Sequence, residues 1–320
     1  MAAALVLGER GRGRAAPNPN VGCVIVADGR VVGRGWTQPG GRPHAEAMAL
    51  AEAGEAARGA TVYTTLEPCA HRSTRGPTCS NLLVEAGVAR VVAAIEDPDP
   101  RTAGEGFAWL RGAGIAVTAD VLASEARASM AGFLTRRALG RPYVTLKLAT
   151  SLDGAIARVG GESRWITGPE SRAHAHLERS RHEAILVGRG TLDADAPRLD
   201  VRLAGLEGRS PRRVVLTSGT APEGWEAIAD PAAVASLSNL DHLLVEGGAQ
   251  TAAAFVRAGL VDRLLFYRAP ILIGGGVPAL GDIGLEQLAD AHGRWRLVDA
   301  RALGSDRLEV YEAARPAVAA

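Results

Sequence analysis

The sequence predicts an α/β protein made of two domains. The chain has 320 residues, and at roughly 150 residues per domain this length favours two of them. Segments of strand-like and helix-like composition alternate along it, as in layered α/β folds. Gly140 and Pro142 follow the last predicted helix of the first half, and such a Gly-then-Pro order ends helices. We therefore expect one domain over residues 1–140 and a second over 141–320.

The first domain is predicted to start with a rigid turn and a hairpin. Residues 17–20 read Pro-Asn-Pro-Asn and are turn formers. Asp28 and Gly29 join two apolar runs, which is typical of a β-hairpin. The remaining segments predict helices over 44–57, 80–86, 107–113 and 124–139, and strands over 62–65, 91–95 and 115–121. Alternation of this kind predicts helices packed on a sheet.

The second domain begins again with an apolar strand, predicted over 143–149. Further strands are predicted over 184–187, 213–217, 242–246, 263–267 and 308–311, and helices over 169–181 and 251–258. Residues 218–240 have weak periodicity, so we predict no element there. The order again favours an α/β fold.

Composition excludes several classes of partner. Lys and Arg number 36 against 35 Asp and Glu, a net charge of +1, so no overall basic excess attracts nucleic acid or anionic membranes. Aromatic residues make up only 4%, which argues against an RNA-editing deaminase with a nucleic-acid-binding tail. No apolar run approaches the ~18 residues of a membrane helix, and residues 1–7 lack the basic leader of a signal peptide. We expect a cytoplasmic protein with no nucleic-acid or membrane partner.

The strongest chemical signal is His44-Ala45-Glu46, followed by Pro68-Cys69 and by Cys79. Zinc prefers thiolate and imidazole ligands, and a catalytic zinc keeps one of its four positions for water. His44, Cys69 and Cys79 are therefore the expected zinc ligands. Glu46 is expected to reach the zinc-bound water and move its proton, as in zinc nucleobase deaminases. The alternatives are a structural metal site, a zinc-stabilised scaffold without catalysis, or thiols that only pack.

A single lysine stands out in the second half. Lys147 is the only lysine of the chain and lies in an apolar strand, where an ammonium must either reach solvent or meet a carboxylate. Asp195 and Glu246 are the two acidic candidates. Glu246 ends an apolar strand before Gly247-Gly248 and a helix, which is where ligands bind in α/β folds. The glycine pair is either a phosphate cradle or a tight turn.

Together these motifs resemble one family, the bifunctional riboflavin-biosynthesis enzymes that join a diaminohydroxyphosphoribosylaminopyrimidine deaminase to a 5-amino-6-(5-phosphoribosylamino)uracil reductase. The matching stretches are residues 17–22, 44–46 and 65–69 in the first half, and 147–154, 161–167, 191–197 and 245–248 in the second. The resemblance implies a cytidine-deaminase-like α/β/α domain followed by a dihydrofolate-reductase-like domain. It also implies zinc and NADPH as cofactors and a homo-oligomer formed through the reductase domain.

Further contacts are expected around each site. Asn18 could bind a pyrimidine edge or could only form the turn, and His71 could touch substrate or could be a surface histidine. In the second half the resemblance implies NADPH contacts from Ala149, Trp165, Thr191, Asp195, Ser218 and Gly248. It implies substrate contacts from Ser163, Arg179, Leu199, Arg202 and Glu246. We expect Lys147, Asp195 and Glu246 to bind and polarise the sugar; the arginines could instead be solvated surface charges, and Trp165 a core residue.

The implied function is a two-step reaction. A zinc-dependent hydrolysis would deaminate 2,5-diamino-6-(5-phosphoribosylamino)pyrimidin-4-one, and NADPH would then reduce the ribosyl group to ribityl. The alternative is a deaminase whose second domain serves only assembly or binding. Two departures from the family pattern keep that alternative open: Ala196 in place of a second Asp beside Asp195, and a short stretch over 218–241. A third departure, a longer interval from Cys69 to Cys79, concerns the substrate contacts of that loop in the deaminase.

Overall fold

The computed structural model of the protein describes residues 1–71 and 76–314. The chain divides into two compact units, one over residues 1–139 and one from residue 140 onward. Each has its own sheet and its own hydrophobic clusters. Among the described residues, every helix is too short or too polar to cross a membrane.

The first unit is a five-stranded sheet covered by helices. The strands are β1 (Gly22–Ala27), β2 (Arg30–Trp36), β3 (Thr61–Thr64), β4 (Arg90–Ala93) and β5 (Ala116–Thr118), and the helices are α1 (Ala2–Gly8), α2 (Ala45–Ala53), α3 (Cys79–Glu85), α4 (Glu105–Gly112), α5 (Ala123–Ser129) and α6 (Ala131–Leu139). The strand order is β2-β1-β3-β4-β5. β1 is antiparallel to β2 and β3, whereas β3, β4 and β5 are parallel.

Glycines let helix α2 lie directly on strand β2. A Cβ atom at Gly35 would lie 2.0 Å from the Ala45 carbonyl oxygen, and one at Gly33 would lie 2.2 Å from that of Ala49. Side chains at these two positions would push the helix off the sheet. Because His44 and Glu46 stand at the start of α2, this close approach fixes their place relative to the sheet.

The single helix expected over 124–139 is wrong, because the chain forms two helices there. Met130 separates α5 from α6 with φ −100° and ψ 18°, and its side chain is fully buried. Ser129 and Gly132 flank the break, and both residue types are weak helix formers. The Ser129 hydroxyl donates to Glu9 Oε1 at 2.6 Å, so the interruption is tied to the N-terminal segment.

The second unit is built on an eight-stranded mixed sheet. The strands of this unit are β6 (Tyr143–Thr150), β7 (Ala155–Ala157), β8 (Ala184–Gly188), β9 (Arg212–Leu216), β10 (Trp225–Ile228), β11 (His242–Val245), β12 (Val261–Arg268), β13 (Val277–Pro278), β14 (Trp295–Leu303) and β15 (Asp306–Ala313). Its helices are α7 (Pro169–Arg179), α8 (Arg189–Asp195) and α9 (Ala249–Arg257). The large sheet has the order β10-β9-β8-β11-β6-β12-β15-β14, and β7 pairs with β13.

Six neighbouring strands of this sheet, from β10 to β12, are parallel, and β15 and β14 add two antiparallel strands. The carboxyl ends of parallel strands meet at one edge, which is where ligands bind in open α/β sheets. Residues that follow β8 and β11, together with the second half of β6, therefore lie close together.

A buried ion pair ties the beginning of β6 to β12. The two Nη atoms of Arg141 lie 2.7 and 2.9 Å from the Asp262 carboxylate oxygens. Asp262 Oδ2 also accepts a hydrogen bond from the Val144 backbone at 2.8 Å. Both charged side chains are buried, so the pair holds the first strand of the second unit in register with its neighbour.

Candidate active sites

The three expected zinc ligands converge in the first unit. His44 precedes α2, Cys69 follows β3 and Cys79 begins α3. His44 Nδ1 lies 3.3 Å from Cys79 Sγ and 3.6 Å from Cys69 Sγ, and all three ligand atoms lie within 4.8 Å of one another. Tetrahedral zinc with ordinary bond lengths places its nitrogen and sulfur ligands about 3.6 Å apart. The donor set and its spacing therefore fit zinc.

The lowered pKa of the Cys69 thiol also favours metal binding. Its hydrogen bond with Cys79, together with the nearby His44, lowers the pKa of the Cys69 thiol to about 4 against the opposing effect of burial. Zinc binds cysteine as thiolate. A thiolate is therefore present at neutral pH where the metal would bind.

Glu46 lies in the first turn of α2 and is buried. Thr64, the last residue of β3, donates a hydrogen bond from Oγ1 to Glu46 Oε1 at 3.0 Å. Burial raises the pKa of the Glu46 carboxyl. A carboxyl whose pKa is moved toward neutrality suits a group that accepts a proton and returns it.

His44, Glu46 and Cys69 line a cavity of about 560 Å³, and Asn18 and His71 line it too. Asn18 Nδ2 lies 3.0 Å from His44 Nε2 and donates to the Gly41 carbonyl at 2.8 Å. His71 Nδ1 lies 2.9 Å from Thr102 Oγ1. The longer interval noted between Cys69 and Cys79 includes residues 72–75, which lie outside the described residues.

Sequence reasoning missed the loop that follows β4. Asp97 and Asp99 line the cavity, and the buried Glu67 holds their loop by accepting hydrogen bonds from the backbone of Asp97 at 3.2 Å, Gly104 at 3.0 Å and Phe107 at 3.0 Å. The available signal was the Asp-Pro-Asp-Pro run of residues 97–100 at the carboxyl end of a parallel strand.

In the second unit, Glu246 is the carboxylate that meets the single lysine. Lys147 Nζ lies 3.8 Å from Glu246 Oε2. Arg179 contacts the same carboxylate twice, with Nε 2.8 Å from Oε1 and Nη2 2.9 Å from Oε2. Burial alone would raise the pKa of Glu246, but the two cations outweigh it and lower that pKa to about 2. Glu246 is therefore ionised throughout the physiological range.

Asp195 lies at the end of α8, and its carboxylate is 3.6 Å from Arg164 Nη2. It is 40% exposed, so its environment differs from that of Glu246. The following residue, Ala196, has φ 40° and ψ 53°, a left-handed conformation that Asn, Asp and Gly adopt more readily than Ala. Glu246, rather than Asp195, is the acidic neighbour of Lys147.

Two of the expected cofactor contacts are brought together. The Gly248 backbone donates to Thr191 Oγ1 at 3.2 Å, which joins the loop after β11 to helix α8. Ala149 is half-buried on β6, and Ser218 is exposed after β9. Trp165 is 66% exposed and stacks on the Arg172 guanidinium at 4.9 Å. The alternative that Trp165 is a core residue is therefore wrong.

The expected substrate contacts differ in their surroundings. Leu199 is buried and packs with Ile185, Val187 and Leu244, whereas Ser163 is half-buried. Arg202 is half exposed, and its Nε lies 3.4 Å from Asp200 Oδ1.

His176 of α7 was not predicted as part of this site. Its Nδ1 lies 3.0 Å from the Asp200 carbonyl oxygen and 3.3 Å from the Arg202 backbone nitrogen. Arg179 Nη1 donates to the same Asp200 carbonyl at 3.1 Å. These contacts connect α7 to the loop that carries Leu199 and Arg202.

Comparisons with protein families match both units. Residues 1–95 match the cytidine and deoxycytidylate deaminase zinc-binding region. Residues 142–230 and 228–308 match the RibD C-terminal domain. A zinc-binding deaminase domain followed by a reductase domain implies zinc and a nicotinamide cofactor, and the predicted α/β class of both domains is confirmed.

Similar proteins cover nearly the whole chain. The riboflavin biosynthesis protein RibD of Escherichia coli K12 is 41% identical over 96% of each chain, and that of Mycobacterium tuberculosis H37Rv is 41% identical over 93% of this chain and 91% of its own. The structure of Acinetobacter baumannii RibD is 36% identical and covers 98% of both chains with a TM-score of 0.89. The Thermotoga maritima diaminohydroxyphosphoribosylaminopyrimidine deaminase/5-amino-6-(5-phosphoribosylamino)uracil reductase is 32% identical over 98% of this chain and 97% of its own, with a TM-score of 0.86.

Proposed function

The chain belongs to the RibD family of bifunctional deaminase–reductases of riboflavin biosynthesis, and from this premise we propose which reaction each part performs and with which residues. The domain over 1–140 deaminates 2,5-diamino-6-(5-phosphoribosylamino)pyrimidin-4-one with release of ammonia. The domain over 141–320 then reduces the ribosyl group to ribityl with NADPH. The observation that carries the proposal is the convergence of His44, Cys69 and Cys79, of which His44 and Cys69 line one cavity together with Glu46.

In the deaminase site, His44, Cys69 and Cys79 would hold zinc. Zinc, when bound, lowers the pKa of its water ligand toward neutrality. Glu46 accepts a proton and delivers it to the departing amino group, and the hydrogen bond from Thr64 keeps its carboxylate in place. Asn18 and His71 orient the pyrimidine ring, which their positions on the cavity wall support.

In the reductase site, the cofactor supplies the hydride, and the protein binds and orients the reactants. Lys147 and Glu246 bind the sugar in its open carbonyl form, and Lys147 polarises the carbonyl oxygen; Asp195 assists at the edge of the site. The rest of the substrate is bound by Arg179, Arg202, Ser163 and Leu199. A guanidinium can bind the substrate phosphate through two hydrogen bonds. The NADPH contacts are Ala149, Trp165, Thr191, Asp195, Ser218 and Gly248.

We propose a cytoplasmic location and a homo-oligomer formed through the reductase domain. The exposed Leu297 and Val298 on the edge strand β14 support self-association, because an unpaired strand edge can pair with a second copy. Light scattering of the purified protein would give a mass above that of one chain, and a monomer would contradict the proposal.

The two-step reaction can be tested on one sample. Zinc-loaded protein is incubated with the diaminopyrimidine ribotide and NADPH, and the product is identified by mass spectrometry. Deamination exchanges an amino group for oxygen, and reduction adds two hydrogens; we expect one product with both changes. A deaminated but unreduced product would support the deaminase-only alternative, and unchanged substrate would contradict both reactions.

A further inference from the structure

The Nε atom of Arg42 has no hydrogen-bond partner among the described residues. Arg42 precedes the zinc ligand His44 by two positions and lines the same cavity. This Nε atom is buried. Arg42 as a whole is half-buried. Removing a cation partly from water without a counter-charge is unfavourable, so this arginine is suited to an anion that arrives with a ligand.

The other arginines of the cavity already have partners. Arg101 Nε lies 3.0 Å from Asp99 Oδ1, and Arg137 Nη2 lies 3.6 Å from the same oxygen. Arg136 Nη2 donates to the Pro17 carbonyl at 2.6 Å. Asp99 therefore offsets the charge of two of these arginines, while the charge of Arg42 remains available to a ligand.

Asn18, which is expected to contact the pyrimidine ring, lies on the same cavity wall as Arg42. The Gly41 carbonyl accepts a hydrogen bond from Asn18, whose side chain touches His44. Asn18 and His44 thus lie at the end of the cavity where the pyrimidine ring would react. The long side chain of Arg42 can reach a part of the ligand that lies away from this end. A cavity of about 560 Å³ is within the usual range for small-molecule sites, so it can hold a ribotide.

We propose that Arg42 binds the phosphate of the ribotide during deamination and so makes the deaminase selective for phosphorylated substrates. The inference rests on the proposed deaminase function and adds to it the residue that recognises the phosphate. A guanidinium binds phosphate through two parallel hydrogen bonds. Arg42 would thereby gain the anionic partner that the described residues do not provide.

The test compares two substrates, the diaminopyrimidine ribotide and the same compound without its phosphate. Deamination is followed with wild type, R42Q and R42K. For R42Q we expect KM for the ribotide to rise about 10- to 100-fold, since the lost hydrogen bonds join two charged groups, with little change in kcat. Its kcat/KM for the dephosphorylated compound should match that of wild type. R42K keeps the charge but not the two-point geometry and should fall between.

R34Q is the matched control. Arg34 lies on β2 of the same unit, is exposed, and pairs with Glu52 at 2.9 Å, so its loss should leave both substrates unaffected. Zinc content and the reduction of deaminated substrate verify that each variant is folded, and R42K decides the question if R42Q loses zinc. Equal losses on both substrates would show that Arg42 serves the ring or the zinc ligands, and would overturn the proposal, as would no loss on either. Wild type inactive on both would instead refute the deaminase function itself.

Discussion

Thr64 holds Glu46 by a hydrogen bond of 3.0 Å between two buried side chains. The bond joins the carboxyl end of β3 to the first turn of α2, two elements that also lead to Cys69 and His44. The Glu46 carboxyl also forms a hydrogen bond with the side chain of Cys79. The orientation of Glu46, the proposed proton carrier, therefore depends on a residue outside the metal cluster.

Replacing Thr64 with valine removes this donor and keeps the shape of the side chain. We expect kcat for deamination to fall about 10- to 100-fold, because a hydrogen bond to a charged group contributes roughly 1.5–3 kcal/mol. T64S retains the hydroxyl and should restore most of the rate. Steady-state deamination at equal zinc content measures the effect, and equal kcat in T64V and wild type would refute the role of Thr64.

Replacing Lys147 with arginine should greatly reduce ribosyl reduction. The ammonium lies 3.8 Å from Glu246 Oε2 and 6.0 Å from the centre of the Tyr267 ring. A planar guanidinium is larger and cannot occupy this position in the same way. The rate of NADPH oxidation with deaminated substrate measures the loss, and deamination by the same variant is the control. Unchanged reduction would mean that the single lysine is incidental.

The ionised Glu246 should stabilise the second unit in a pH-dependent way. Arg179 and Lys147 lower its pKa to about 2, compared with about 4.3 for an unperturbed glutamate. A lowered pKa gives stability that is fully present above about pH 4.3 and is lost as the pH falls toward 2, with a limit of about 3 kcal/mol. Denaturant unfolding of wild type and E246Q from pH 7 to pH 3 should show a difference that shrinks only at the acid end. A difference that is independent of pH would contradict this.

Removal of zinc should separate the two activities. The proposed zinc ligands lie in the first compact unit, while Lys147, Arg179 and Glu246 lie in the second. After treatment with a chelator we expect deamination to stop and reduction of deaminated substrate to continue. Added zinc should restore deamination. Parallel loss of both activities on chelation would show that the metal also supports the second unit.

Replacing Ala196 with asparagine should stabilise the protein. Ala196 adopts a left-handed conformation with φ 40°, which costs roughly 1 kcal/mol for a residue other than Gly, Asn or Asp. A196N should therefore raise the free energy of unfolding by up to about that amount, measured by urea denaturation with A194N in the helix as a comparison. A decrease for A196N would show that the alanine methyl group makes a contact that outweighs the strain.

The sequence predicted those elements whose burial leaves a pattern in the chain. β1 and β8 are apolar runs between turn residues, and both were expected. Helix α8 was missed because none of its seven residues is buried, so it lacks an apolar face. Strand β14 was missed for the same reason, since it forms the exposed edge of the sheet.

The site was predictable where residue type and spacing carry the chemistry. The amino-acid sequence alone reveals the pattern formed by His44, Glu46, Cys69 and Cys79. Thr64 and Arg42 have common residue types, and only their three-dimensional neighbours distinguish them. The choice of Glu246 over Asp195 as the partner of Lys147 likewise required the sheet order, because β6 and β11 are adjacent strands but distant in sequence.

The buried pair of Arg141 and Asp262 determines where the chain can be divided to obtain the second unit alone. A fragment that starts at Tyr143 would leave the Asp262 carboxylate buried without its cation, which costs about 3–5 kcal/mol. That is a large share of the stability of an ordinary domain. A fragment that starts at Gly140 keeps the arginine, so the three residues 140–142 decide whether an isolated reductase can be produced in folded form.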